Sequence, residues 1–394
     1  MRRDSVAWER AAEVREAAEG WLRAGAIDRP TREAIGSAYP DPCVTPAVVW
    51  RVLTAVLVSA VVLCTVGAVG VATQPGAAGF SVLFFVFAGA CLVATELLEA
   101  SPRHARRGAA GATAFWGSVF FLVGLGLFLL DGAGVNVDRA IDAVLLAGTL
   151  VWGVGCWRWG NPLFAGLSAA SLFLYLGRLP LGRVLWVLVG SALVGLAARR
   201  LDAVAWPPSH RRAAMIVLLT ALAAVYVAVN VYSFEERLLE NLRPSAPPRV
   251  PLPPGLFVLT AIATAILPIL VLVWALRSRR TWLLDAGIVL LALSLVTLRY
   301  YVHVAPLWVV LTVAGAGLVG LALVVERTLR RAPGGERAGF TADVLFSDER
   351  RQHILQTLPV VAAFTPAASA AAGEEKGFAG RGGAFGGGGA SDKY

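Results

Sequence analysis

Lysine is almost missing from this chain. Lys376 and Lys393 are the two in 394 residues, so a formal net charge of +9 rests on arginine. That bias reads as GC-rich coding at least as well as a demand for guanidinium chemistry. Charge of either sign is also scarce: 15% of residues are Asp, Glu, Lys or Arg, where a soluble domain carries about 25%. Cysteine is limited to Cys43, Cys64, Cys91 and Cys156. No two form a CxxC pair and three lie in apolar runs, which argues against a disulfide framework or a zinc site. Histidine is limited to His104, His210, His303 and His353. His104 and His210 sit among arginines that would repel a metal ion, and no HExxH helix is present. Also missing are a GxSxG elbow, a Walker A loop, a GxGxxG turn after a strand and a paired-aspartate protease pattern. No motif therefore supports an enzyme, a cofactor or a metal, and the chain is expected to be non-enzymatic.

Apolar residues are what the chain has in abundance. They make up 57% of the sequence, with a mean hydropathy of +0.68, more than one soluble core could hide. The solvent this predicts is a lipid bilayer. In a soluble protein the positive charge would point to nucleic acid; here cytoplasmic loops account for it, and no nucleic-acid partner is expected.

Runs near the roughly 20 residues of a bilayer-spanning helix fall at about 50–72, 79–98, 111–130, 139–157, 162–177, 183–198, 213–233, 255–276, 281–298 and 305–325. The fold class expected is an all-α integral membrane protein of about ten transmembrane helices. The fifth and sixth runs are short and separated by "GRLPLG", so they read as a tight helical hairpin or as one re-entrant unit. Pro268 removes a backbone donor inside the eighth run and predicts a kink there. Ser191 with Gly195, and Ala316 with Gly320, are small residues four apart that suit close helix packing.

Counting arginines sets the orientation. With the N-terminus inside, cytoplasmic loops hold 11 arginines against 7 outside, or 15 against 7 once Arg51, Arg327, Arg330 and Arg331 are included. The positive-inside rule then places both termini in the cytoplasm of a cell (inner) membrane. The longest external loop, 233–255, contains six prolines and reads as an extended spacer or a partner-binding strip.

The soluble ends flank residues 47–326. Residues 1–46 are charged, which predicts no cleavable signal peptide, and they read as a helical hairpin. Trp8, Ala11, Val14, Ala18, Trp21 and Leu22 share one face of its first helix, which Gly25 ends. Asp28-Arg29-Pro30 opens the second helix. Such a short hairpin cannot bury its own core, so it is expected to lean on the membrane, the cytoplasmic loops or a partner. Residues 327–394 form a cytoplasmic tail with a short helix near 347–358 and then a disordered Ala/Gly-rich end.

Polar groups at bilayer depth are rare without a use. The transport-pathway candidates are Glu96 and Glu99, on one helix face, and Asp285, one turn into its run. In the bland reading, Glu96 and Glu99 form an interfacial pair neutralised by Arg103, Arg106 or Arg107, and Asp285 pairs with an arginine of "RSRR" (277–280). Asp138, Arg139, Asp142, Asn230 and "RYYVH" (299–303) are the remaining polar features near helix ends. Tyr300, Tyr301 and Trp308 on one side, and Trp152, Trp157 and Trp159 on the other, fit aromatic belts.

The segment "EVREAAEGWLRAGAIDRPTREAI" is similar to the N-terminal region of the DUF2157-like group of bacterial polytopic membrane proteins. In that group a helical hairpin precedes many apolar helices, and the resemblance implies no catalytic residues. The tail "GGAFGGGGASDKY" resembles the GGxFGGGGAS end of membrane proteins of the TPM-domain type, although the TPM domain itself is not in this chain. No strand precedes the glycine run and no GK[ST] closes it, so it is not a phosphate loop. It reads as a flexible tip with Phe385 and Tyr394 as handles for a protein partner. Three functions remain open: a membrane component recruiting partners through its ends, a secondary transporter of a small solute or ion, and a membrane-embedded enzyme. Oligomeric state is left open.

Overall fold

The computed structural model describes residues 3–23, 26–40, 48–101, 108–201, 206–236, 238–242, 253–278 and 280–301, with scattered positions between 309 and 341. The chain is helical nearly throughout this range. The helices are α1 (Arg3–Arg23), α2 (Arg29–Ala38), α3 (Val48–Thr73), α4 (Ala77–Ala100), α5 (Ala109–Leu127), α6 (Val137–Trp159), α7 (Pro162–Arg178), α8 (Gly182–Leu201), α9 (Pro208–Val229), α10 (Val231–Glu235), α11 (Pro254–Ser278) and α12 (Thr281–Tyr301). Strand is confined, among the described residues, to Glu336–Arg337 paired with Phe340–Thr341. Two compact units are present, Met1–Thr264 and Ala265–Tyr394.

Among the described residues, eight helices are long and apolar enough to cross a membrane: α3, α4, α5 with its extension, α6, α8, α9, α11 and α12. At 17 residues α7 reaches only about 25 Å at 1.5 Å per residue, short of a 30 Å hydrocarbon core. The run at 305–325 is described only at scattered positions, and the helix near 347–358, Phe385 and Tyr394 lie outside the described residues.

Local sequence explains the turns between helices. In "GNP", Gly160 ends α6 in the left-handed region at φ 67°, and Asn161 caps α7 by accepting from the Leu163 N–H. Pro162 then takes the first helical position, where its missing N–H costs nothing. In α2, the Asp28 carboxylate accepts from the Thr31 N–H at 3.0 Å. The hydrogen bonds from Thr31 hold the Asp28 carboxyl below its usual range.

Two runs are divided differently from the sequence expectation. The third ends in a π-helical turn, Phe128–Gly132. The seventh breaks at Asn230, which turns to φ −68°, ψ 132° and gives its side-chain oxygen to the N–H groups of Tyr232 and Ser233. That side chain starts α10 as a new helix instead of letting α9 continue. Pro268 lies buried inside a continuous α11.

In the first unit the helices pair as antiparallel hairpins, α4 with α5, α6 with α7 and α8 with α9, and α3 lies on α5. Hydroxyls stitch the seams. Ser81 donates to the Gly124 carbonyl at 2.8 Å, Thr95 and Thr113 share a hydrogen bond of 3.0 Å, and Ser168 donates to the Thr149 carbonyl at 2.8 Å. Glycine permits the closest approaches. Gly108 opens α5 at φ 88°, and a Cβ there would lie 2.5 Å from the Arg51 carbonyl oxygen. On α8 a Cβ at Gly190 would lie 2.5 Å from Val225 Cγ2 of α9. Gly195 and Gly320, expected from their spacing to pack, have nothing within 4 Å of such a Cβ. α9 is the central helix, with half its apolar stretch buried, whereas none of the α3 stretch is. The hydroxyls of Thr54, Ser59, Thr65 and Thr73 on α3 all donate to carbonyls of their own helix four residues back. These hydroxyls therefore offer lipid no unmet donor.

Candidate functional site

Glu96 and Glu99 end α4, and the candidate partners given by sequence were Arg103, Arg106 and Arg107, which lie outside the described residues. Among the described residues, partners of Glu96 come from the end of α6. Arg158 donates to Glu96 Oε2 at 2.7 Å and the Trp159 indole N–H donates to Oε1 at 3.0 Å. One carboxylate thus holds both the cation and the indole of a neighbouring hairpin. Glu99 is half-buried and also partnered.

At the opposite end of these hairpins, Arg178 at the last turn of α7 gathers three elements. Its guanidinium donates to the Asp142 carboxylate, to Asp138 Oδ1 at 3.1 Å and to the Leu242 carbonyl at 3.0 Å. Asp138 and Asp142 are four apart in the first turns of α6, so they share a face and sit at the positive end of that helix. Leu242 belongs to a short 3-10 turn, Glu240–Leu242, and the neighbouring Leu239 is buried among Phe173, Leu176 and Trp186. The first part of the loop between α10 and α11 is therefore packed onto the bundle.

Arg183, on the other side of the "GRLPLG" turn, closes the break at Asn230. It donates to the Ala228 carbonyl at 3.0 Å, to Ser233 Oγ at 3.2 Å and to the Ser233 carbonyl at 2.9 Å. Its guanidinium also lies 3.7 Å from the Phe234 ring centroid. Ala228 belongs to the last turn of α9, whose carbonyls have no intrahelical donor and carry partial negative charge. The Val231 N–H is met from α11 by Thr264 Oγ1 at 3.0 Å. The break thus has partners for both its donors and its acceptors at a buried position.

Asp285 is placed differently from the glutamates. It is exposed on the α12 face that also carries Ile288, Val289, Leu293 and Val296. The buried face of α12 carries Leu283, Gly287, Leu290 and Ser294, and a Cβ at Gly287 would lie 2.7 Å from Leu272 Cδ2 of α11. Among the described residues no three of His, Cys, Asp and Glu converge as a metal set.

At the end of the hairpins that carries Glu96, the N-terminal pair α1–α2 meets the start of α9. Glu9 Oε2 accepts from the Ser209 N–H at 3.2 Å, and Glu13 takes Arg211 Nη2 at 2.5 and 2.7 Å. His210 beside them bridges Ser209 Oγ at 3.3 Å and the Trp157 carbonyl at 3.2 Å. Sequence reasoning paired none of these groups. The available signal was the i, i+4 spacing of Glu9 and Glu13 set against an arginine in the first turn of a helix whose N-cap is Pro207, without a capping side chain.

No protein-family model, curated protein or solved structure matches the chain.

Proposed function

We propose that this chain is a non-enzymatic multi-pass component of the cytoplasmic (inner) membrane that recruits protein partners through its ends. In this reading it has ten spans, with residues 305–325 as the last, and both termini are cytoplasmic. The observation that carries it is the use to which charge is put. Glu96 is bound by Arg158 and Trp159, and Arg178 is bound by Asp138 and Asp142. Arg183 is committed to helix-end carbonyls. Charged groups near membrane depth that join helices to one another support a sealed bundle. A conducting path would hold them toward a water-filled cavity. Recruitment then falls to the ends, with Phe385 and Tyr394 as the proposed handles and the α1–α2 hairpin as the segment on which kinship with the DUF2157-like group rests. Affinity capture of the full-length protein and of a chain truncated after residue 331 tests this. Loss of specific partners on truncation is expected, and identical partner sets would count against a recruiting tail.

The second reading is a secondary transporter of a small solute or ion. The break between α9 and α10 favours it, because discontinuous helices form ion and substrate sites in such proteins. Asp285, an acid on an otherwise apolar helix face, is its proposed pathway residue. Ion or solute flux in proteoliposomes that is abolished by Asp285→Asn would establish this reading over the first.

A further inference from the structure

We propose that the α1–α2 hairpin is an electrostatic latch, closed on the first turn of α9 through Glu9 and Glu13 and opened when those contacts are screened or reversed. The two helices are tied to each other. Arg32 Nε donates to Glu19 Oε1 at 2.7 Å across the pair, and Asp28 caps α2 from the turn between them. Attachment to the bundle has a different character. Ser209 N–H is one of the donors that a helix start leaves without an intrahelical partner, and Pro207 offers no capping side chain. Glu9 supplies the missing acceptor from another helix, and the positive end of α9 favours its charge. Glu13, one turn on, meets Arg211 in the same first turn of α9.

Fully buried apolar surface is small. Ala11 and Ala18 are the buried apolar residues of α1, each methyl contributing less than about 1 kcal/mol, while Trp8, Val14 and Leu22 are half-buried. Trp21, expected on the buried face, is 50% exposed. The Glu13 and Arg211 side chains retain 49% and 31% of their exposure, so solvent ions reach the contact and the attraction falls as the Debye length shrinks. Released from α9, the α1–α2 pair is a hairpin too small to bury a core of its own, so its helices fray more readily. Opening therefore frees the Ser209 N–H and exposes the amides of α1 together.

Hydrogen exchange on the full-length protein in nanodiscs of zwitterionic lipid tests the latch, with the α9 amides from 218 to 226 as the control that the bundle persists. Raising salt from about 20 mM to about 500 mM, which shortens the Debye length from roughly 20 Å to under 5 Å, is expected to speed exchange in α1 and at Ser209 about fivefold. Glu13→Arg is expected to give the fast rate already at low salt, and adding Arg211→Glu is expected to restore the slow one. Protection of α1 that ignores both salt and Glu13→Arg would overturn the proposal. So would fast exchange that Arg211→Glu fails to reverse, because the hairpin would then be held by lipid or by apolar packing.

Discussion

The Arg158 guanidinium donates to the Glu96 carboxylate at 2.7 Å across 62 residues of sequence, joining the end of α4 to the end of α6. Both side chains are about one-third exposed, so solvent weakens the pair, and the Trp159 indole shares the same carboxylate. A double-mutant cycle with Glu96→Gln and Arg158→Gln is expected to give a coupling energy of about 1 kcal/mol, the upper end for a partly exposed pair. Trp159→Phe is expected to reduce stability further by removing the second donor. The measurement is reversible unfolding in detergent, and additive single-mutant effects would show that the pair contributes nothing.

Gly190 sets how closely α8 and α9 approach. A methyl at this position would press on Val225 Cγ2 at 2.5 Å and on the Ala221 carbonyl at 3.3 Å. Gly190→Ala is expected to cost about 1–3 kcal/mol through overpacking, and Gly190→Val more. Val225→Ala should recover part of the loss by vacating the contact. Gly195→Ala on the same helix meets open space and is expected to leave thermal stability unchanged, which separates packing from any general effect of removing a glycine.

Asp28 makes the order of α2 depend on pH. Its carboxyl is held below the ordinary value of 3.8 because the ionised form accepts hydrogen bonds from the Thr31 side chain and backbone N–H. A carboxyl with a depressed folded value adds its stabilisation above the unfolded value and loses it as pH falls through the folded one. Exchange of the α2 amides is therefore expected to be independent of pH near neutrality, after correction for intrinsic rates, and to accelerate as the carboxyl protonates below the usual carboxylate range. Asp28→Ala should show the accelerated exchange at every pH.

What could be read from sequence, and what could not, divides along the range of the interactions. Apolar run length gave the helices α3 to α9, α11 and α12, because a membrane-length helix announces itself within its own residues. Asp28 and Pro30 likewise marked the start of α2. Spacing pointed to Gly195, whereas Gly190 is the glycine seated against α9, since small residues recur on several faces and the seated one depends on where α9 lies. The Arg158 and Trp159 contacts of Glu96 come from the next hairpin, more than sixty residues away, beyond the reach of local spacing. The break at Asn230 was obscured by apolarity that continues through Val231 and Tyr232, although an Asn whose side-chain oxygen can accept from the N–H groups two and three residues later has the chemistry of a cap.

Arg183 shows what that break requires. With α9 interrupted, the Ala228 carbonyl has no helical N–H ahead of it, and the buried Ser233 faces the same gap. One planar guanidinium reaches both, donating from two nitrogens in directions an ammonium cannot reproduce. Arg183→Lys is accordingly expected to behave as a loss, retaining the charge at the α9 terminus but leaving carbonyl oxygens short of donors at about 1–3 kcal/mol each. Arg183→Ala adds the loss of the Phe234 contact and should be more destabilising still. Asn230→Ala attacks the other side of the junction by removing the acceptor for Tyr232 and Ser233. Because both substitutions damage one junction, the double variant Arg183→Ala with Asn230→Ala is expected to lose less stability than the sum of the two. Thermal unfolding of the purified protein measures this directly, and full additivity would mean that the arginine and the asparagine hold separate structures.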